Sequence, residues 1–268
     1  MVGKLVVIGG AEDHERHCTI LKTVLRLAPD KKPRVAVVAT ASADPARTGQ
    51  DYEKIFEELG AESVRVLKIS SRAAASDPSS AAAIQEAAVV FITGGDQLRL
   101  TSILGGTALM KKIKERFENG LIVAGTSAGA SAMSGTMIIG GSAGQPPQRG
   151  QIQMSPGLGF LPHLLIDQHF AQRGRFGRLI AAVAMNPGFL GLGIDEDTAV
   201  VISERRWLEV IGSYGITIID GSMLAHTNVS ETAPWETLTL SPLQIHILAR
   251  GSGFDLLHHR IHAPQKGE

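Results

Sequence analysis

Five runs in the first half of the chain read as strands: KLVVIGG (4–10), PRVAVVATAS (33–42), AVVFITGG (88–95) and LIVAG (121–125), which are largely apolar, and the more mixed SVRVLKI (63–69). A strand with one wet face alternates apolar and polar residues. Unbroken apolar runs mean burial on both faces, as in parallel strands covered by helices. Helical patterns lie between them. Ile20, Leu21, Val24 and Leu25 form one stripe, and DYEKIFEELG (51–60) and ALMKKIKERFENG (108–120) are amphipathic segments closed by glycine. This alternation predicts a doubly wound α/β fold around a mostly parallel sheet.

The second half is patterned differently. Residues 140–157 (GGSAGQPPQRGQIQMSPG) are polar, rich in Gly, Pro and Gln, and without periodicity, which reads as a long loop. LLIDQHF (164–170) is a buried strand, and a helix is expected near 174–185. The short runs FLGLGID, TAVVIS, WLEVIG, ITIID and LQIHIL then read as antiparallel strands extending the same sheet. GSGFDLLHHRIHAPQKGE reads as a weakly structured tail. There is no internal repeat and no shift in composition that demands a second domain, so residues 1–268 are expected to form one.

Composition changes this picture in few places. Only 4% of residues are aromatic, so the core must be largely aliphatic. The 26 basic and 26 acidic residues cancel, which leaves no global field for nucleic acid or anionic membrane; charged recognition must be local. The single cysteine, Cys18, suits a reducing compartment. The apolar run at the N-terminus is too short for a secretory segment, and nothing approaches the roughly 20 apolar residues of a membrane span. The expectation is a cytoplasmic protein.

Doubly wound sheets bind ligands beyond the carboxyl ends of their strands. Four such ends carry small or polar loops: IGGAED, ATASAD, ITGGDQ and AGTSAG. The last contains Gly125-Thr126-Ser127-Ala128-Gly129, a G-x-S-x-G turn between a strand and a helix-compatible run. A nucleophilic serine on a sharp turn needs tiny neighbours, and the N–H of Ala128 then points at the reacting centre as an oxyanion donor. The glycine loop Gly94-Gly95 is the best source of a second donor. A purely structural turn of small residues is the competing explanation, and it is also the reading given to Ser131 and Ser134.

A serine needs a base. His14 and His17 are assigned to an early helix, His163 to a loop, His226 and His246 to late strands, and His258, His259 and His262 to the tail. His169 closes a buried strand, where an α/β site wants it. Arg173, Arg175 and Arg178 follow at once, at the start of a helix, where the macrodipole disfavours cations. A substrate carboxylate gripped by forked guanidinium groups supplies a reason for them. The orienting acid is left open among Asp195, Glu196 and Asp197. The chain order of serine, histidine, acid differs from that of the α/β-hydrolases. Metal and nucleotide signals are weak: His14, His17, Glu12 and Asp13 have no second cluster, and GGAED is not a phosphate loop. No cofactor is expected.

Taken together, IGGAED, TGGDQ, GTSAGA, DQHF followed by R-x-R-x-x-R, and GIDEDTA resemble the cyanophycinases, serine hydrolases of the peptidase family that includes aspartyl dipeptidase. The resemblance runs in order across most of residues 4–200. It implies a flavodoxin-like three-layer sandwich and a homodimer. It implies Ser127 as nucleophile, His169 as base and Glu196 as third member; the oxyanion hole read from the turn and the glycine loop is expected at Gly95 and Ala128. It also implies a pocket of Asp96, Gln97, Asp167, Gln168, Arg173, Arg175 and Arg178. The substrate would be cyanophycin, a poly-aspartate with arginine on its β-carboxyls, cut by an exopeptidase into β-Asp-Arg dipeptides. A dipeptidase for small Asp-containing peptides, and a catalytically silent binding protein, are the alternatives.

Overall fold

The five predicted strands form at β1 (Leu5–Ile8), β2 (Arg34–Val38), β3 (Ser63–Leu67), β4 (Val89–Ile92) and β5 (Ile122–Thr126). In the computed structural model, which describes residues 1–262, they run parallel in the order β1-β5-β4-β2-β3. Helices α1 (Thr19–Arg26) and α2 (Pro45–Glu58) cover one face, packing Leu21, Val24 and Phe56 on Val6, Ile8, Val37 and Phe91. The short helices α3 (Arg72–Ser76) and α4 (Pro78–Ala82) lead to the helices of the other face. These are α5 (Gln97–Leu104), α6 (Ala108–Glu118) and the single turn α7 (Ala128–Ser131). Leu100, Leu104, Ile113 and Phe117 there meet Leu5, Val7, Val90, Ile92 and Val123. Helix starts follow from local chemistry. The side chains of Asp44, Asp96 and Thr107 accept the free N–H groups of α2, α5 and α6, and Pro45 stands at the first position of α2.

The remaining elements are β6 (Thr136–Gly141), β7 (Ile152–Pro156), β8 (Leu164–Gln168), α8 (Phe176–Met185), β9 (Leu190–Ile194), β10 (Thr198–Ser203), β11 (Trp207–Gly212) and β12 (Gly215–Asp220). The chain ends with β13 (His226–Thr227), β14 (Leu240–Ser241), β15 (Gln244–Ala249), β16 (Gly253–Asp255) and β17 (Arg260–His262). The fold is mixed α/β, its parallel sheet extended by antiparallel strands. β10, the TAVVIS run, pairs antiparallel with β1, and β11, β16 and β17 continue outward.

Three of the late strands depart from the expectation. FLGLGID, ITIID and LQIHIL do not extend the first sheet; with LLIDQHF they build a second one, in the order β15-β12-β9-β8. Within it β8 and β9 are parallel, linked through α8. Alternation explains the placement. Leu164, Ile166, Leu192 and Ile194 face the main sheet and share its core, whereas Leu165 turns to Leu179 and Val183 of α8.

Other local readings are also corrected. The segment 140–157 is not one loop: its ends belong to the β6–β7 hairpin, and Leu238 N and Trp235 N donate to the Pro147 and Arg149 carbonyls of its turn. The tail supplies β16 and β17, with Phe254 fully buried; residues 263–268 lie outside the described part. His14 and His17 precede α1, because the Asp13 carboxylate takes the N–H groups of Glu15, Arg16, His17 and Cys18 and holds them in a turn.

Candidate active site

The polar strand ends converge. β5 delivers Ser127 on a turn with φ +50° and ψ −109°, a conformation that costs an L-residue about 1–3 kcal/mol unless its surroundings hold it. The two flanking glycines let strand and helix approach. A Cβ on Gly129 would lie 2.4 Å from the Ile92 carbonyl oxygen, and one on Gly125 would lie 2.7 Å from the Gly129 backbone. His169 follows β8, also at φ +50°, and its ring lies over Gly10, where a Cβ would come within 2.4 Å of Cε1.

Ser127 Oγ lies 2.9 Å from His169 Nε2, and His169 Nδ1 lies 2.7 Å from Glu196 Oε1. The geometry separates the three acids left open by the sequence. Asp195 accepts the Ala171 N–H, and Asp197 accepts from Asp13 N and the Ser213 hydroxyl. Among them Glu196 alone meets the histidine. A carboxylate can only accept, so Nδ1 carries the proton and Nε2 offers its lone pair to the serine hydroxyl. Burial pushes the His169 pKa below its ordinary value, with Arg173 and Arg175 adding to the effect and Glu196 opposing it. The imidazole is therefore neutral at pH 7 and fit to accept a proton.

Three successive carbonyls at the end of β1 organise this set. Ile8 O accepts from Ser127 N at 3.0 Å, Gly9 O from His169 N at 2.8 Å, and Gly10 O from Asp197 N at 2.9 Å. All three donors have positive φ.

Gly94 abuts the serine, its Cβ position 3.3 Å from Ser127 Cβ, while Gly95 is pressed on the Ala41 carbonyl. The N–H groups of Gly94, Gly95 and Ala128 find no backbone acceptor among the described residues.

The proposed pocket residues divide into two sets. Asp167 is fully buried, and its carboxylate holds Arg178, through Nε at 2.6 Å and also through Nη2, together with Arg175 Nη1 at 3.2 Å. Arg175 also donates to the Gln168 carbonyl, and its Nε is buried without a partner. These two guanidinium groups at the start of α8 thus answer an internal carboxylate, which is the reason the sequence did not supply. Arg173 alone of the three is exposed. Gln168 Oε1 accepts the Ser131 hydroxyl at 2.7 Å, and Ser134 Oγ accepts from Ile166 N, so both serines are structural. Asp96 Oδ1 caps α5, and Gln97 Nε2 donates to the Ile138 carbonyl of β6 at 2.9 Å.

Glu12 is a site residue that sequence reasoning treated only as a weak metal donor. It is 5% exposed and takes the hydroxyls of Thr126 and Tyr52, each at 2.6 Å. The acidic IGGAED loop was visible; its partner 114 positions away was not. No group of three or more metal-ligating side chains occurs among the described residues, and none of their helices is long and apolar enough to cross a membrane.

Known proteins resemble this chain in sequence and in fold. A cyanophycinase of Trichormus variabilis is 43% identical over 258 residues, covering 96% of this chain and 87% of that protein. A cyanophycinase of Geminocystis herdmanii is 39% identical over 264 residues, covering 98% and 96%. The crystal structure of a peptidase from an acI-B1 Actinobacterium shares the fold at a TM-score of 0.69 and 23% identity, covering 96% of this chain and 98% of that one. The model of peptidase family S51 matches residues 5–210, a span that includes Ser127, His169 and Glu196, and the chain belongs to that family.

Proposed function

We propose that this protein is a cyanophycin-degrading serine exopeptidase in which Ser127, His169 and Glu196 form the catalytic triad. The observation that carries the reading is the Ser127–His169–Glu196 chain, with contacts of 2.9 and 2.7 Å, in a member of family S51 whose relatives are cyanophycinases. His169 Nε2 takes the Ser127 proton as Oγ adds to the carbonyl carbon of a main-chain peptide bond. The oxyanion forms against the N–H of Ala128 and of the Gly94-Gly95 turn. The imidazolium then gives its proton to the leaving amine, and the bond to nitrogen breaks. Water, deprotonated by the same imidazole, adds to the acyl-serine and releases the acid product. Glu196 keeps the imidazole in the productive tautomer throughout.

The β-Asp-Arg units of the polymer present carboxylates, amides and guanidinium groups. The exposed Arg173 offers a complementary group at the rim, Asp96 and Gln97 border the pocket, and the buried Gln168 lies beneath it. Asp167, Arg175 and Arg178 shape the pocket from behind. The reading includes a homodimer in the cytoplasm, consistent with a single buried cysteine.

The test is dipeptide release from insoluble cyanophycin, followed by chromatography, for wild type and Ser127→Ala. Loss of the nucleophile is expected to lower kcat by roughly 10⁶-fold. Unchanged release by the variant overturns the assignment. Faster turnover of small Asp-containing dipeptides than of polymer by the wild type moves the substrate to the dipeptidase class.

A further inference from the structure

The loop Gly9–Asp13 touches the surroundings of all three triad members. Its carbonyls at Gly9 and Gly10 take the N–H groups of His169 and Asp197, and Asp13 N donates to Asp197 Oδ1 at 2.9 Å. Its one deeply buried charged side chain is Glu12. The carboxylate has a donor on each oxygen: the Thr126 hydroxyl on Oε2 and the Tyr52 hydroxyl on Oε1, with His14 Nε2 3.6 Å from Oε1. Burial pushes the Glu12 pKa up, but hydrogen bonds from His14, Thr126 and Tyr52 outweigh it, and the group stays below its ordinary value. It is an ionised, fully engaged acceptor at neutral pH.

Thr126 is the last residue of β5 and shares a peptide bond with Ser127. The N–H of that peptide is fixed by Ile8 O, while the side chain on its other end is fixed by Glu12. One anchor is the last residue of β1 and the other lies in the loop that follows it. Rotation of this peptide plane would swing the Ser127 Cα, and with it Oγ, away from His169 Nε2. The φ of +50° at Ser127 supplies strain that favours such a rotation.

We propose that Glu12 is a positioning residue for the nucleophile: by holding the Thr126 hydroxyl it locks the peptide that sets the Ser127 turn. It touches no reacting atom and acts through Thr126. This inference rests on Ser127 being the nucleophile, but not on the identity of the peptide substrate.

The experiment uses the full chain and a serine-directed fluorophosphonate, which reads Ser127 whatever the natural substrate. Thr126→Val keeps the shape and removes the hydroxyl; Thr126→Ser restores it; Glu12→Gln keeps the size and removes the charge. Labelling rates are measured at a temperature where thermal melts show every variant folded. Thr126→Val and Glu12→Gln are each expected to label about ten- to a hundredfold more slowly, the worth of one hydrogen bond to a charged group. Their double variant should be no slower than the worse single one, since both remove the same contact. Thr126→Ser should bring the rate back to within a few-fold of wild type. On cyanophycin, kcat per folded enzyme should fall with KM unchanged, whereas mere loss of stability lowers the folded fraction and leaves kcat per folded enzyme at the wild-type value. Labelling of Thr126→Val at the wild-type rate, or additive losses in the double variant, overturns the positioning role alone. Absence of labelling in the wild type overturns the Ser127 assignment and this inference with it.

Discussion

Ser127, His169 and Asp197 share a backbone setting, with φ of +50°, +50° and +45°. Each would cost an L-residue about 1–3 kcal/mol in isolation. Each is held by a carbonyl from the same end of β1, a strand paired on both sides by β5 and β10. The serine and histidine are thus fixed before any substrate arrives, and Glu196 is fixed through its neighbour. The resulting chemistry has a definite pH signature. Protonated His169 cannot accept from Ser127, so kcat/KM falls as pH drops through the His169 pKa. Burial places that pKa below 6.5, so the acidic limb should lie below the ordinary histidine range. In Glu196→Gln, the partner that opposes this shift is weakened, and the limb should move further toward acid. The rate itself should fall by about 10⁴-fold, as the tautomer is no longer enforced. A kcat/KM profile across pH 4 to 8 checks both, and an acidic limb at or above 6.5 contradicts them.

β8 and α8 carry the arginine question. Arg175 and Arg178 stand at the start of α8, 8 and 11 residues after Asp167 of β8, and close a buried ion cluster with it. Removing one partner leaves a buried charge uncompensated, at a cost of about 3–5 kcal/mol. Asp167→Asn and Arg178→Ala should therefore each lower Tm by about 10 °C. They should also lower kcat, because His169 lies two residues beyond Asp167. Arg173→Ala should leave Tm within about 2 °C and raise KM for the polymer. Calorimetry with steady-state kinetics separates the two sets; equal Tm losses for Arg173 and Arg178 would place both in the structural cluster. This pairing was illegible in the sequence, since nothing in R-x-R-x-x-R says whether a carboxylate of the chain or of a ligand answers it. The parallel strands were legible because residues such as Val7, Val37 and Val90 sit in runs with no polar alternation. The second sheet was not, because LGLGI of β9 carries the same message of burial as TAVVIS of β10. Apolarity states that a strand is covered and is silent about which sheet it joins. Ser127 and His169 could be found because both follow buried strands, whereas Glu12 shows its role only through Thr126.

At the scale of the molecule, the proposed reacting groups come from two sheets. Ser127 and the glycine turn hang from the main sheet, and His169 and Glu196 hang from β8 and β9 of the second. The 2.9 Å contact between Ser127 and His169 therefore depends on how the sheets pack on one another. Leu192 of β9 lies in that shared core, and Leu21 of α1 lies in the core on the opposite face of the main sheet. Both are almost wholly buried, at 1% and 0% exposure. Truncation of either to alanine opens a cavity and should cost about 2–5 kcal/mol, so the two Tm values should fall by a similar amount, on the order of 10 °C. Their kinetics should part. In Leu192→Ala the second sheet can settle toward the cavity, carrying Glu196 and His169 with it, and a displacement of about 1 Å at a reacting pair costs as much as 10²-fold in rate. In Leu21→Ala the collapse falls on α1, behind the main sheet, and kcat at 20 °C should stay within about threefold of wild type. Labelling of Ser127 by a fluorophosphonate at 20 °C, with both variants folded, reads the difference directly. Equal rates for the two variants would mean that the β1 carbonyls alone hold the triad, independent of the packing between sheets.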